Sequence, residues 1–201
     1  MLRRRLARLA ALLAPFTLLL PIASHAETVV AEDVSGDARA WTDYQGFQFV
    51  PAPEEASVDI NSTAAAFAPR RLSVAVHLRD LEVRVRHETL VRVWTPGGTF
   101  DVTAERLSAR RPTVSVARQR GDVIECRGLS VLYDGAADTV AVSVPARCIG
   151  APRWARLGVR TYATPRPYAN SPGTVFYLAD DGHRGGFREN SIARGPRIRR
   201  G

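Results

Sequence analysis

Lysine is absent from this chain, cysteine occurs twice, methionine once, and aromatic residues fill only 7% of the 201 positions. Each shortage removes a class of explanation. Two cysteines, Cys126 and Cys148, offer neither the C-x-x-C of a redox pair nor the short thiolate spacings of a structural zinc centre. No serine sits in G-x-S-x-G and no H-E-x-x-H occurs, so the common esterase and zinc-hydrolase signatures are missing. Beyond the first 26 residues only three histidines remain, His77, His87 and His183, each reading first as a solvated side chain. With 20 acidic residues some facing pair of carboxylates is always available, so that signal alone carries no glycosidase argument. We read no enzyme in this sequence. The longest apolar run, Leu9 to Leu20, contains Pro15 and falls short of the roughly 20 residues that span a bilayer.

What is present begins with an export signal. Arginines at 3, 4, 5 and 8 precede that apolar run, and Ser24-His25-Ala26 places small residues where a signal peptidase acts. The expected organisation is a signal peptide at 1–26, one domain at 27–182 and a flexible arginine-rich tail at 183–201, with no transmembrane anchor after cleavage. The protein is thus expected to be secreted. All 28 basic residues are arginine; four lie before residue 9 and four after residue 193, leaving 20 against 20 acidic residues. The domain itself is formally neutral, which argues against nucleic acid as a partner.

Export gives the cysteines a meaning. Where disulfides persist, two cysteines read as one bridge. A strand at Val123–Cys126, an Asp134-Gly135 turn and the alternating Val140, Val142 and Val144 form a hairpin that would bring Cys126 close to Cys148.

Period-two alternation recurs along the chain. In "LSVAVHL", Leu72, Val74, Val76 and Leu78 share one side while Ser73, Ala75 and His77 share the other. Similar runs occur at 56–63, 89–94, 99–105, 113–119, 157–164 and 174–180, separated by Gly, Pro and Asp turns, and no helical stripe of eleven residues is found. The implied fold is all-β, an antiparallel two-sheet sandwich, jelly-roll or immunoglobulin-like, with one disulfide. The stretches 49–57 and 163–173 read as surface connections. Trp94, in step with Leu90, is expected inside, and Trp154 near the bridge.

Two constellations carry chemistry. Asp33, Asp37, Asp59, Asp180 and Asp181 could converge from separate loops as hard oxygen ligands for calcium. Trp41, Tyr44, Tyr162 and Tyr168, near strand ends, could present flat faces to sugar rings. With "EDVSGDARAWTD", "VDINST", "RRLSVAVHLRDL" and "PARCIGAPRWARLGV" in view, the chain resembles exported β-sandwich proteins of high-GC bacteria that carry no assigned function. Its opening, residues 33 to about 80, also resembles carbohydrate-binding modules related to DOMON domains. That second resemblance implies a jelly-roll-like sandwich, calcium at the acidic opening and a sugar on an exposed face. The resulting expectation is a non-catalytic binding domain for extracellular carbohydrate. The alternative is a cell-envelope protein that meets a protein partner or an anionic wall polymer.

Overall fold

Alternating side chains suit a sheet with one face buried, and the computed structural model, which describes residues 26–83, 85–107, 111–164 and 173–201, realises that pattern in thirteen strands. No α-helix occurs among the described residues; a 3-10 turn spans Ala146–Ile149. The signal segment 1–25 and Tyr168 lie outside the described residues.

One sheet runs in the order β1 (Glu27–Glu32), β4 (Ile60–Phe67), β5 (Arg71–Leu78), β10 (Thr139–Pro145) and β9 (Ser130–Asp134). The other runs β3 (Gln48–Pro51), β2 (Arg39–Thr42), β12 (Val175–Asp181), β11 (Trp154–Ala163), β6 (His87–Thr95), β7 (Gly98–Arg106) and β8 (Thr113–Arg118). A short β13 (Arg197–Arg199) also pairs with β11. Every pairing is antiparallel.

The inward parity of β5 and β10, with Leu72, Val74, Val76, Val140, Val142 and Val144, joins Val91, Val93, Phe100, Val102, Leu157 and Val159 of the opposite sheet in one apolar cluster. Each such side chain contributes roughly 1.5–3 kcal/mol when taken from water. A smaller cluster of Ala38, Ala40, Val58, Val85, Ala163 and Leu178 lies at β2 and β12.

The disulfide joins Cys126 to Cys148 with Cα atoms 5.7 Å apart. It clamps the hairpin from outside its strands: Cys126 precedes β9 and Cys148 lies in the 3-10 turn after β10. The partner of β10 is thus Ser130–Asp134, not 123–126, where only the bridge Ala117 to Val123 forms. Val123 is 71% exposed, whereas Tyr133 is buried. The strand forms where alternation has something to bury.

Other expectations are corrected in the same way. On β6 the inward parity belongs to His87, Thr89, Val91 and Val93, so Trp94 faces outward, covered by the Arg194 guanidinium 4.8 Å from its ring. Trp154 is likewise covered by Arg197 at 4.3 Å, on a strand that pairs with β13. His87, expected in solvent, is 1% exposed. Phe49 to Pro51, expected in a connection, belong to β3. Nor does the C-terminal stretch hang loose: Ile198 is buried in the main cluster, and the Gly201 amide donates to the Phe67 carbonyl at 3.0 Å. Phe187 and Ile192 are buried as well, and the pairing of β13 with β11 adds to the hold on that end.

Candidate functional site

The acidic residues come together at the β12 end of the sandwich. Asp180 lies two positions beyond the inward-facing Leu178 and shares its parity, so its carboxyl is carried wholly inside. There it accepts the Ile60 amide at 2.8 Å and the Asp181 amide at 2.7 Å. Asp33 and Asp37 approach from the β1–β2 connection. Asp33, Asp37 and Asp180 each offer a carboxylate oxygen, and these oxygens lie within 4.8 Å of one another.

Asp59 and Asp181 flank this triad, both fully buried. Asp59 accepts the Gly36 amide at 2.8 Å and pairs with Arg79 at 2.9 Å. Gly36 has φ +84°, a conformation that favours glycine and turns its N–H toward Asp59. Asp181 pairs with Arg160 and with Arg184. On the far side, the Gly186 amide donates to Asp37.

Ion pairing separates the two groups, although burial raises the carboxyls of Asp59 and Asp181 as well. Asp59 and Asp181 each have a guanidinium partner. Among the described residues no arginine pairs with Asp33, Asp37 or Asp180. Burial, reinforced by the Asp37 charge, pushes the Asp33 carboxyl up to about 7. The Val34 and Arg184 backbones draw it back in part, yet no donor meets either Asp33 oxygen in hydrogen-bond geometry. Burial likewise pushes Asp180 up to about 8, against the two amides it accepts.

The outward parity of the same strands carries aromatic rings. Trp41 on β2 stacks on Tyr177 of β12 at 6.0 Å and meets Phe49 of β3 edge-on at 4.8 Å. Tyr177 continues to Tyr162 of β11 at 5.9 Å, and Phe49 to Phe187 at 4.5 Å. Phe47 and Phe176, 5.7 Å apart, are 68% and 41% exposed at the margin of this strip. An open groove of about 450 Å³ lies alongside, lined by Tyr162, Phe176, Tyr177, Arg86 and Glu88 among others. Burial, then the neighbouring Glu105, raises the Glu88 carboxyl above its ordinary value. Arg86 pairs with Glu105 at 2.7 Å.

One segment touches both features. Between Asp181 and Ser191 the chain gives Asp37 its amide through Gly186 and gives the strip a ring through Phe187. Arg160 spans the same gap: it pairs with Asp181 and lies 4.4 Å from the Phe187 ring centre.

All five expected aspartates thus gather at one end, and three of them share a centre. Of the expected aromatic residues, Trp41 and Tyr162 belong to the strip, and Tyr44, 40% exposed, stands on the β2–β3 connection. Sequence reasoning missed Phe47, Phe49, Phe176, Tyr177 and Phe187. The i, i+2 pair Phe47 and Phe49, just after Trp41 and Tyr44, was the available signal. In comparisons with protein-family models, curated proteins and solved structures, nothing matched this chain.

Proposed function

We propose that the protein is a secreted, non-catalytic binding domain whose outer aromatic strip takes extracellular carbohydrate. One observation carries this reading. Trp41, Phe49, Tyr177 and Tyr162 form a connected run of rings on one sheet face, with exposed Phe47 and Phe176 at its margin and a groove bearing Arg86 and Glu88 beside it. Flat apolar faces accept the C–H side of a pyranose ring, while adjacent charged groups orient its hydroxyls. Carried on strands rather than on long loops, the rings are held in place before any ligand arrives, which lowers the ordering cost of binding. The disulfide suits a compartment in which such bonds persist. The calcium expectation attaches to the acidic cluster and stands apart from this face.

The reading as a partner for anionic wall polymer draws on the C-terminal arginines. Arg194 and Arg197 are engaged on the Trp94 and Trp154 rings, which favours the carbohydrate reading over it. Affinity electrophoresis against a panel of neutral and acidic soluble polysaccharides tests the choice. Stacking predicts retardation by at least one neutral polymer that persists at 0.5 M salt, roughly where charge interactions are screened within a few ångströms. Retardation confined to acidic polymers and abolished by salt would transfer the proposal to the wall-polymer reading.

A further inference from the structure

On the outer face of the larger sheet, β6 and β7 treat charge in two opposite ways. Their register sets Arg92 directly across from Asp101, and the guanidinium grips that carboxylate at 2.7 and 2.8 Å. Four positions along, the same register sets Glu88 directly across from Glu105. Like charges facing each other across a strand pair are destabilising. Arg86 relieves only one of them, pairing with Glu105 at 2.7 Å. No described residue meets the Glu88 carboxylate in a salt bridge or a hydrogen bond, and the three groups together keep a formal −1.

Glu88 also brings that charge to the rings. Across β6 and β11 it lies opposite Tyr162, whose ring continues to Tyr177 at 5.9 Å. Glu88, Tyr162, Tyr177 and Phe176 line the groove of about 450 Å³. The carboxylate is half-buried there, so a ligand that fills the groove removes water that it still has. A sugar hydroxyl would bond it and leave the charge, and an anionic sugar would add to the repulsion. A metal ion would ask for more oxygens than one free carboxylate offers. An ammonium group cancels the charge, donates hydrogen bonds and is drawn to the faces of the neighbouring rings.

Resting on the carbohydrate reading above, we propose that the sugar taken by this groove carries a free amine, which pairs with Glu88 while the pyranose lies against Tyr162 and Tyr177. A basic peptide would offer the same ammonium on a flexible stem. The rings favour the sugar, because they continue from Tyr177 to Trp41 at 6.0 Å and so extend past what one lysine would cover.

The test titrates the full disulfide-bonded protein at about pH 6, where amine and carboxylate are both charged. Heat of binding is followed for β-1,4-linked tetramers of glucosamine, N-acetylglucosamine and glucose. The glucosamine tetramer is expected to bind about tenfold tighter than the N-acetylated one, the scale of one charge pair formed beside a ring. Glu88→Gln, which removes a like charge across from Glu105 and should fold, is expected to erase that preference and keep the affinity for the N-acetylated tetramer. Equal binding of all three tetramers, or a preference that survives Glu88→Gln, would overturn the proposal and leave the carbohydrate reading standing. Binding of a lysine-rich peptide as tight as that of glucosamine, and equally lost in Glu88→Gln, would overturn it in favour of a protein partner. No binding of any tetramer would overturn it too, and the carbohydrate reading falls with it only if no polysaccharide retards the protein.

Discussion

The two ends of this sandwich are built on opposite principles. Beneath β5, β10, β6 and β7 the interior is built mainly of Val, Leu and Phe, with His87 and Thr89 of β6 among its few buried polar side chains, and it is clamped at one margin by the disulfide. Beneath β2, β3 and β12 a small cluster of alanine, valine and leucine gives way to fully buried Asp59, Asp180 and Asp181. Burying carboxylates is unfavourable unless they are paired, and three arginines provide only part of the pairing. The first end supplies the stability that the second spends. On the outside the same division holds: β4, β5 and β10 turn alanine and serine to solvent, whereas β2, β3 and β12 turn Trp41, Phe49 and Tyr177. Buried charge and outward rings coincide at one end, which is where we place binding.

The largest expected effect should come from the apolar end. Phe67, with no exposed surface, anchors that interior, and Phe67→Ala should cost about 3–5 kcal/mol in denaturant unfolding. Reducing the Cys126–Cys148 bond should lower stability by about 3 kcal/mol, the chain-entropy estimate for a loop of this size, under the same assay. A loss near zero would mean that the hairpin holds without its clamp.

The next effect is a pH dependence. His87 is buried against Tyr133, with ring centres 5.6 Å apart, and burial lowers its pKa from 6.5 to about 4 despite an opposing contribution from the Ser57 backbone. A group depressed in this way favours the fold while neutral. Its contribution is therefore present above the unfolded value of about 6.5 and is lost as pH falls toward 4, on the order of 2–3 kcal/mol in all. Protonation of Asp33 and Asp180 moves stability in the opposite direction, so the quantity to measure is the difference from His87→Leu. Wild type should lose stability relative to that variant between pH 7 and 4, and parallel curves would show that His87 is not held neutral. The smallest expected effect is at the rim. Phe47→Ser, at an exposed position, should change stability by less than about 0.5 kcal/mol. It should nonetheless weaken polysaccharide binding.

The sandwich was legible because period-two patterns such as Leu72 to Leu78 have one apolar parity, and a strand with one apolar parity has only one way to lie. Parity failed where both sides are apolar. On β6, Leu90 and Trp94 face outward while Val91 and Val93 face inward, and the cover over Trp94 is Arg194, about a hundred residues away in sequence. The aspartates were legible as carboxylates that could converge from distant parts of the chain, although Asp180 and Asp181 lie in β12 and not in a loop, but their division into paired and unpaired was not. Arg79, Arg160 and Arg184 become partners only through the register of β5, β11 and the segment after β12. Phe187 was hidden for a related reason. It lies in a stretch whose composition reads as a tail, and only the fold brings it to Phe49.

The central claim is that Trp41 sits at the heart of a sugar-binding face rather than in a structural one. Affinity electrophoresis of Trp41→Ala beside the wild type, on the polysaccharide that retards the wild type most, tests it most directly, with the thermal midpoint of both proteins recorded. The account predicts that retardation falls at least tenfold while the variant remains folded, as expected when a central aromatic anchor is removed. Equal retardation of a folded Trp41→Ala protein, or a wild type that no polysaccharide retards, would contradict it.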